Sequence, residues 1–208
     1  MRNPLAAAIT ALLVFSTLPA LAAPPPEETF IRTNVEQVLA ILSNPALDEQ
    51  EKAQQFQKKI EQVADLDAIT HYVLGRWSKT ADAASLARFA SAFRDYAISV
   101  YQDDLDRFGN EILAVHSTVE RKPGDRIVLT TLSEGGFKRP EDVKWRVLTI
   151  HGAPRVVDIQ VHGVWLTLHQ RSDITSVIAR NHGNIDAATK MLCARSGKCG
   201  ATALHSGL

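Results

Sequence analysis

Three groups of side chains in this sequence could do chemistry. Asp158 and His162, with His169 seven residues further on, would form an acid/base set if a strand-to-helix corner brought them together. The plainer reading makes Asp158 and His162 same-face strand positions that meet solvent or cap the following turn. Cys193 and Cys199 are the only two cysteines. In an oxidising compartment such an isolated pair is most simply a disulfide around Arg195, Ser196, Gly197 and Lys198. Metal binding with His182 or His205 is the alternative, but there is no CxxC and no second ligand pair. Arg76, Arg94 and Arg171 form the third group, because a guanidinium matches phosphate geometry. Ordinary ion pairing, such as Arg94 with Asp103, is the plainer account of each one taken alone. His71, His116, His151 and His182 have no convincing partners, and the chain lacks GxSxG, HExxH, P-loop and GxGxxG motifs.

The aromatic residues are few but concentrated. Trp77, Phe89, Phe93, Tyr96 and Tyr101 fall within one stretch, and Trp145 and Trp165 fall in the second half. Such a set usually forms core, but an apolar cavity would give the same sequence.

The elements that position these groups follow from periodicity. From Leu86 the apolar residues Phe89, Ala90, Phe93, Ala97 and Val100 recur at helical spacing, with Arg88, Arg94, Asp95 and Gln102 off the stripe. Thr80 is the expected N-cap of this helix, with Asp82 in its first turn. Upstream, Phe30 to Leu42 places Ile31, Val35, Val38, Leu39 and Leu42 on one face, and Asn44-Pro45 ends it. Asp48 and Glu51 have capping-box spacing ahead of a helix with Phe56, Ile60 and Val63. Leu66 opens a third helix with Ile69, Val73 and Leu74, which Gly75 ends.

After Gly109 the pattern changes to strands. Ile112 to Val119 and Ile127 to Leu132 flank the turn cluster Lys122-Pro123-Gly124-Asp125. Val143, Trp145, Val147 and Thr149 alternate with Lys144, Arg146, Leu148 and Ile150. After Gly152-Ala153-Pro154, Val157, Ile159 and Val161 alternate with Asp158, Gln160 and His162. Short loops predict an antiparallel meander with one face toward water and the other covered by the preceding helices. Helix returns after Trp165, with Leu168, Ile174, Val177 and Ile178 on one face, then Asn181-His182-Gly183-Asn184, then a short helix from Ile185 to Leu192. The order is helices, sheet, helices, an α+β class.

The N-terminus reads as an export signal. Arg2 precedes the uncharged apolar run Leu5 to Leu18, and Ala20-Leu21-Ala22 has the small-x-small form of a cleavage site. The apolar run is short for a span of roughly 20 residues. Residues 1–22 are therefore expected to be removed after Ala22, leaving residues 23–208 as one domain. The whole chain has 23 basic and 23 acidic residues, and loss of Arg2 leaves it close to neutral. A nucleic-acid binder would show a basic excess.

The run Val73, Leu74, Gly75, Arg76, Trp77, followed by Phe89, Phe93, Arg94 and Tyr96, resembles the signature of the periplasmic toluene-tolerance family. That family supplies the soluble lipid-binding components of Mla-type (maintenance of lipid asymmetry) transport systems. A second segment, Val157 to Leu166 followed by Gln170-Arg171-Ser172-Asp173 and Ser176-Val177-Ile178, resembles the family's Asp-Ile strand, Gly-Val turn and following helix. His162-Gly163-Val164-Trp165 stands where the family commonly has Glu-Gly-Val-Ser, and the cysteine pair is outside the pattern. The Gln170 to Ile178 segment is closer to the hopanoid-associated branch than to the phospholipid branch.

The resemblance implies a twisted antiparallel sheet wrapped by N-terminal and C-terminal helices around an apolar lipid cavity. It implies a monomeric periplasmic carrier of phospholipid or hopanoid-type lipid, with no enzymatic activity, cofactor or metal. Its partners would be an inner-membrane lipid transporter complex and an outer-membrane lipoprotein complex. With apolar faces, it nominates Leu74, Trp77, Phe89, Phe93, Tyr96, Val115, Leu129, Trp145, Val147, Ile159 and Trp165 as cavity residues, and Arg76, Arg94 and Arg171 for the headgroup. The alternatives are a small periplasmic enzyme on a cone-shaped α+β fold using Asp158 and His162, and a ligand-free interaction module.

Overall fold

Local caps set where the helices begin. The computed structural model describes residues 23–102, 110–134 and 138–197. Helix α1, Pro26–Leu42, starts with proline and with Glu27 and Glu28 in its first turn, and it buries Ile31, Val35 and Leu42. Helix α2, Glu49–Val63, begins with the expected reciprocal box. The Glu51 amide donates to Asp48 Oδ1 at 2.8 Å and the Asp48 amide to Glu51 Oε2 at 3.0 Å. Helix α3, Leu66–Leu74, is capped by Asp65, which accepts from the Ala68 amide at 2.7 Å, and it ends at Gly75. A 3₁₀ turn, Gly75–Lys79, leads to α4, Ala83–Gln102. Its cap is Asp82 rather than the expected Thr80. The Asp82 carboxylate reaches the Ser85 amide at 2.8 Å, and that bond holds its pKa below the ordinary value.

The sheet is an antiparallel meander in chain order: β1 Glu111–Lys122, β2 Asp125–Glu134, β3 Glu141–Ile150, β4 Ala153–Val161 and β5 Val164–Trp165. Register assigns the faces. Val128 pairs with Thr118 and Trp145, Trp145 with Ile159, and Val147 with Val156. These residues, with Leu113, Val115 and Leu132, share the face that α1 covers with Ile31 and Val35. A bulge between Arg146 and Val147 shifts the β4 register. It makes Val156, not Val157, the buried core residue, against simple alternation.

Helices α5, Leu166–Arg180, and α6, Ile185–Ser196, complete the chain's described part. Helix α6 runs past the expected end at Leu192 to Gly197, whose φ of 64° is a left-handed cap. The inward positions of α5 include Thr167, Ile174 and Ile178. Leu168, expected on that face, is instead 56% exposed because one residue turns the helix by about 100°. With α3 and α4, these helices build a second core of Val73, Leu74, Phe89, Phe93, Ile174, Ile178 and Leu192. Helices α3 and α5 also pack on β4. The sheet face opposite α1 therefore does not simply meet water as expected. The result is an α+β fold with one core between α1 and the sheet and another among α3 to α6.

Candidate functional site

The first signature segment is a junction between helices. Gly75 has φ 57° and ψ −125°, a backbone that glycine adopts far more readily than other residues. A Cβ there would sit 2.8 Å from an Arg171 guanidinium nitrogen. Arg171 Nη1 donates to the Tyr72 carbonyl at 2.8 Å, and the guanidinium lies 5.0 Å from the Tyr72 ring centroid. Trp77 packs where a Cβ on Gly183 would be 3.0 Å from its ring, and Arg76 lies over that ring at 4.5 Å. The segment thus locks the α3 end against α5 and against the α5–α6 turn.

Further along, α4 meets α5 at Tyr96 and Gln170. Phe89 and Phe93 stack at 6.0 Å within the helical core beside Ile174 and Ile178. One turn nearer the α4 C-terminus, Tyr96 Oη accepts a hydrogen bond from Gln170 Nε2 at 3.1 Å. The other amide atom, Gln170 Oε1, is buried and has no hydrogen-bond donor among the described residues. Val100 follows Tyr96 by four residues, so it lies on the same side of α4.

The described residues include six large exposed hydrophobics: Tyr72, Val100, Ile112, Val119, Val164 and Leu168. Glu111 pairs with Glu134, and Val143 with Val161, which in turn pairs with Val164. The start of β1, the end of β2, the start of β3 and the β4–β5 turn therefore share one end of the sheet. Ile112 and Val164 stand there on the two edge strands and on opposite faces, and Leu168 stands on α5, which packs on β4 and β5.

The nominated cavity residues fall into three places. Leu74, Trp77, Phe89, Phe93 and Tyr96 belong to the helical core. Val115, Trp145, Val147 and Ile159 belong to the core between α1 and the sheet. Leu129 and Trp165 lie on the opposite sheet face, since Leu129 pairs with Lys144 and Trp165 with Gln160. The three arginines are likewise apart. Arg76 and Arg171 flank Gly75, whereas Arg94 lines an open depression of about 420 Å³ with Glu61, Ala64, Asp65, Leu66, Asp67 and Arg155.

Asp158 and His162 do not form an acid/base pair. Asp158 is buried, and its carboxylate accepts from the Ile159 amide at 2.9 Å and from the Thr167 amide and hydroxyl at 3.0 and 2.7 Å. His162 lies in the β4–β5 turn beyond the strand, with φ 51°. Its amide and Nδ1 both meet the Glu141 carboxylate at 3.0 Å. Cys193 is disulfide-bonded, and Cys199, Tyr101, Asp103, His205 and residues 1–22 with Ala22 lie outside the residues whose side chains are described.

Two ion pairs were not read from the sequence. Arg126 meets the buried Glu27 at 2.6 Å and thereby ties β2 to the first turn of α1. Arg146 binds Asp125 through two hydrogen bonds of 3.0 and 2.9 Å on the other face. Burial raises the Asp125 pKa, but Arg146, Arg121 and Lys122 outweigh it and hold the carboxyl below its ordinary value. Glu27 and Arg126 are separated by 99 residues, so no local pattern announces the pair.

Comparison with known proteins bears on what this arrangement is for. The family model described as MlaC protein matches residues 32–194, from α1 through α6. The chain belongs to the MlaC family. Both signature segments fall inside the match, so the MlaC pattern embraces the α3–α5 junction and the Asp158–Thr167 corner. Among solved structures, this MlaC chain is similar to the phospholipid-binding protein from Ralstonia solanacearum, whose structure contains a phospholipid. The two share 24% sequence identity and a TM-score of 0.72, over 82% of this chain and 96% of that one. At that identity the likeness bears on the fold. No curated protein matches the chain significantly. Among the described residues, no helix is long and apolar enough to cross a membrane.

Proposed function

We propose that this MlaC-family chain is a soluble periplasmic lipid carrier. In this reading the export signal is cleaved after Ala22, and residues 23–208 fold as one monomeric domain whose Cys193–Cys199 disulfide suits an oxidising compartment. The domain takes phospholipid, or a hopanoid-type lipid, from one membrane-bound partner and delivers it to another. An inner-membrane transporter complex and an outer-membrane lipoprotein complex are the partners that this reading requires.

The observation that carries the reading is the match of residues 32–194, from α1 through α6, to the MlaC family model. Lipid tails need apolar cover. Each buried CH₂ is worth about 0.8 kcal/mol, so an ordinary acyl chain represents on the order of 10 kcal/mol. Release of such a chain into water would be very slow, and transfer must therefore occur in contact with a membrane or protein. The MlaC match and the phospholipid in the Ralstonia structure support lipid as the cargo. The separate commitments of Asp158 and His162 favour binding over catalysis.

Vesicles containing a fluorescent phospholipid test this directly. After incubation and sedimentation, the soluble protein should hold the lipid in a stoichiometric complex. Protein that leaves all fluorescence with the vesicles, for phospholipid and hopanoid alike, contradicts the carrier reading.

A further inference from the structure

The junction around Gly75 gathers cations that no carboxylate pairs with among the described residues. Arg76 and Lys79 lie three apart in the 3₁₀ turn Gly75–Lys79, and at three residues per turn such positions stand one above the other. Both are exposed, and neither makes an ion pair with a described residue. Arg171 reaches the same junction from α5, where a Cβ on Gly75 would touch its guanidinium. Other arginines are neutralised: Arg88 by Asp186, Arg126 by Glu27, Arg146 by Asp125 and Arg195 by Asp173. Residues 71–81 contain no Asp or Glu, and the one carboxylate of α5 is the Asp173 that meets Arg195. Two aromatic rings carry the charges. The Arg171 guanidinium lies 5.0 Å from the centre of the Tyr72 ring, and Arg76 lies 4.5 Å from the centre of Trp77. Tyr72 is 40% exposed, and Trp77 is half-buried against Gly183.

We propose that this junction docks the protein onto the surface of an anionic lipid bilayer. Arg76, Lys79 and Arg171 meet the headgroup phosphates, and the exposed Tyr72 ring sits at headgroup level while Trp77 holds Arg76 in place. An anionic leaflet attracts each nearby Lys or Arg, and amphipathic aromatic rings favour the same depth. The patch selects for sign of charge, since it offers no carboxylate of its own to pair with a protein partner's cations. Three cations fall below the roughly four to eight that mark a stable polybasic site, so the attachment is weak and reversible. Docking needs no extraction of lipid, and the proposal therefore stands apart from the carrier reading.

Sedimentation with sucrose-loaded vesicles tests it. In dilute buffer the purified protein should pellet with vesicles of equal parts phosphatidylglycerol and phosphatidylcholine, and stay in solution with phosphatidylcholine alone. Sodium chloride at about 1 M, which shortens the Debye length to about 3 Å, should release it. Lys79→Gln should weaken the partition about fivefold, the factor that one basic side chain near the surface supplies, and Arg76→Gln with Lys79→Gln about twenty-five-fold. Arg76→Lys, which keeps the charge, should retain binding. Arg32→Gln with Lys58→Gln removes two exposed charges from α1 and α2 and should leave the partition unchanged. Protein that stays in solution with the phosphatidylglycerol vesicles overturns the proposal, as does an equal loss in the α1–α2 variant. Neither result touches the carrier reading, which is decided by the lipid found on the protein in the supernatant.

Discussion

Thr167 donates both its amide and its hydroxyl to the two carboxylate oxygens of Asp158, at 3.0 and 2.7 Å, and so fastens the start of α5 to β4. The residue that sequence reasoning had weighed as an acid or base is instead a structural acceptor with three donors. Thr167→Val keeps the shape and removes the hydroxyl. The expected loss is about 1–3 kcal/mol of unfolding free energy, measured by urea denaturation, because a buried carboxylate loses a donor. An unchanged midpoint would show that this corner contributes little.

His162 provides the contrasting case. Its side chain is exposed and meets Glu141 at the start of β3. His162→Ala should shift stability by less than about 0.5 kcal/mol and leave phospholipid uptake from vesicles unchanged. Loss of uptake with an intact fold would give this turn a role that the carrier account does not assign.

The Asp125–Arg146 pair predicts a pH dependence. The Asp125 pKa is lowered in the folded chain, despite burial, by its bonds and charge interactions with Arg146 and by Arg121 and Lys122. A lowered folded pKa contributes stability that is present above the unfolded-chain value and disappears as the pH falls through the folded one. Asp125→Asn should therefore be destabilised by about 3 kcal/mol at pH 7, with the gap to the unmodified chain narrowing below about pH 4. Denaturation midpoints across that range check the sign. A gap independent of pH would contradict it.

A side chain at Gly75 should be costly. Alanine there meets the Arg171 guanidinium and must hold a left-handed φ of 57°. A cost of about 1–3 kcal/mol is expected from the backbone alone. Gly75→Ala combined with Arg171→Ala should recover the steric part and leave the backbone part, which a double-mutant cycle of thermal or urea midpoints resolves. Full additivity of the two changes would show that the close approach does not couple them.

Much of this fold was legible because its signals are local. The Asp48–Glu51 box, the Gly75 stop and the Lys122–Asp125 turn each depend on a few neighbouring residues. Thr80 and Asp82 illustrate the limit of such reading: both are capping types two residues apart, and only the backbone path decides that Asp82 meets the Ser85 amide. Val156 was missed because a bulge changes the period of two on which alternation depends. The candidate site was less legible still. Apolar faces were recognised, but whether Leu129 shares a face with Val115 and Val147 depends on cross-strand register, which places it with Lys144 instead. The Glu27–Arg126 pair and the buried Gln170 oxygen arise only when distant segments meet.

Native mass spectrometry of the protein purified from its own cell envelope, followed by organic extraction, tests the central claim most directly. The account predicts a complex whose added mass is that of a phospholipid or hopanoid-type lipid, recovered in the extract. A bare protein mass that stays bare after incubation with mixed membrane lipids would contradict it.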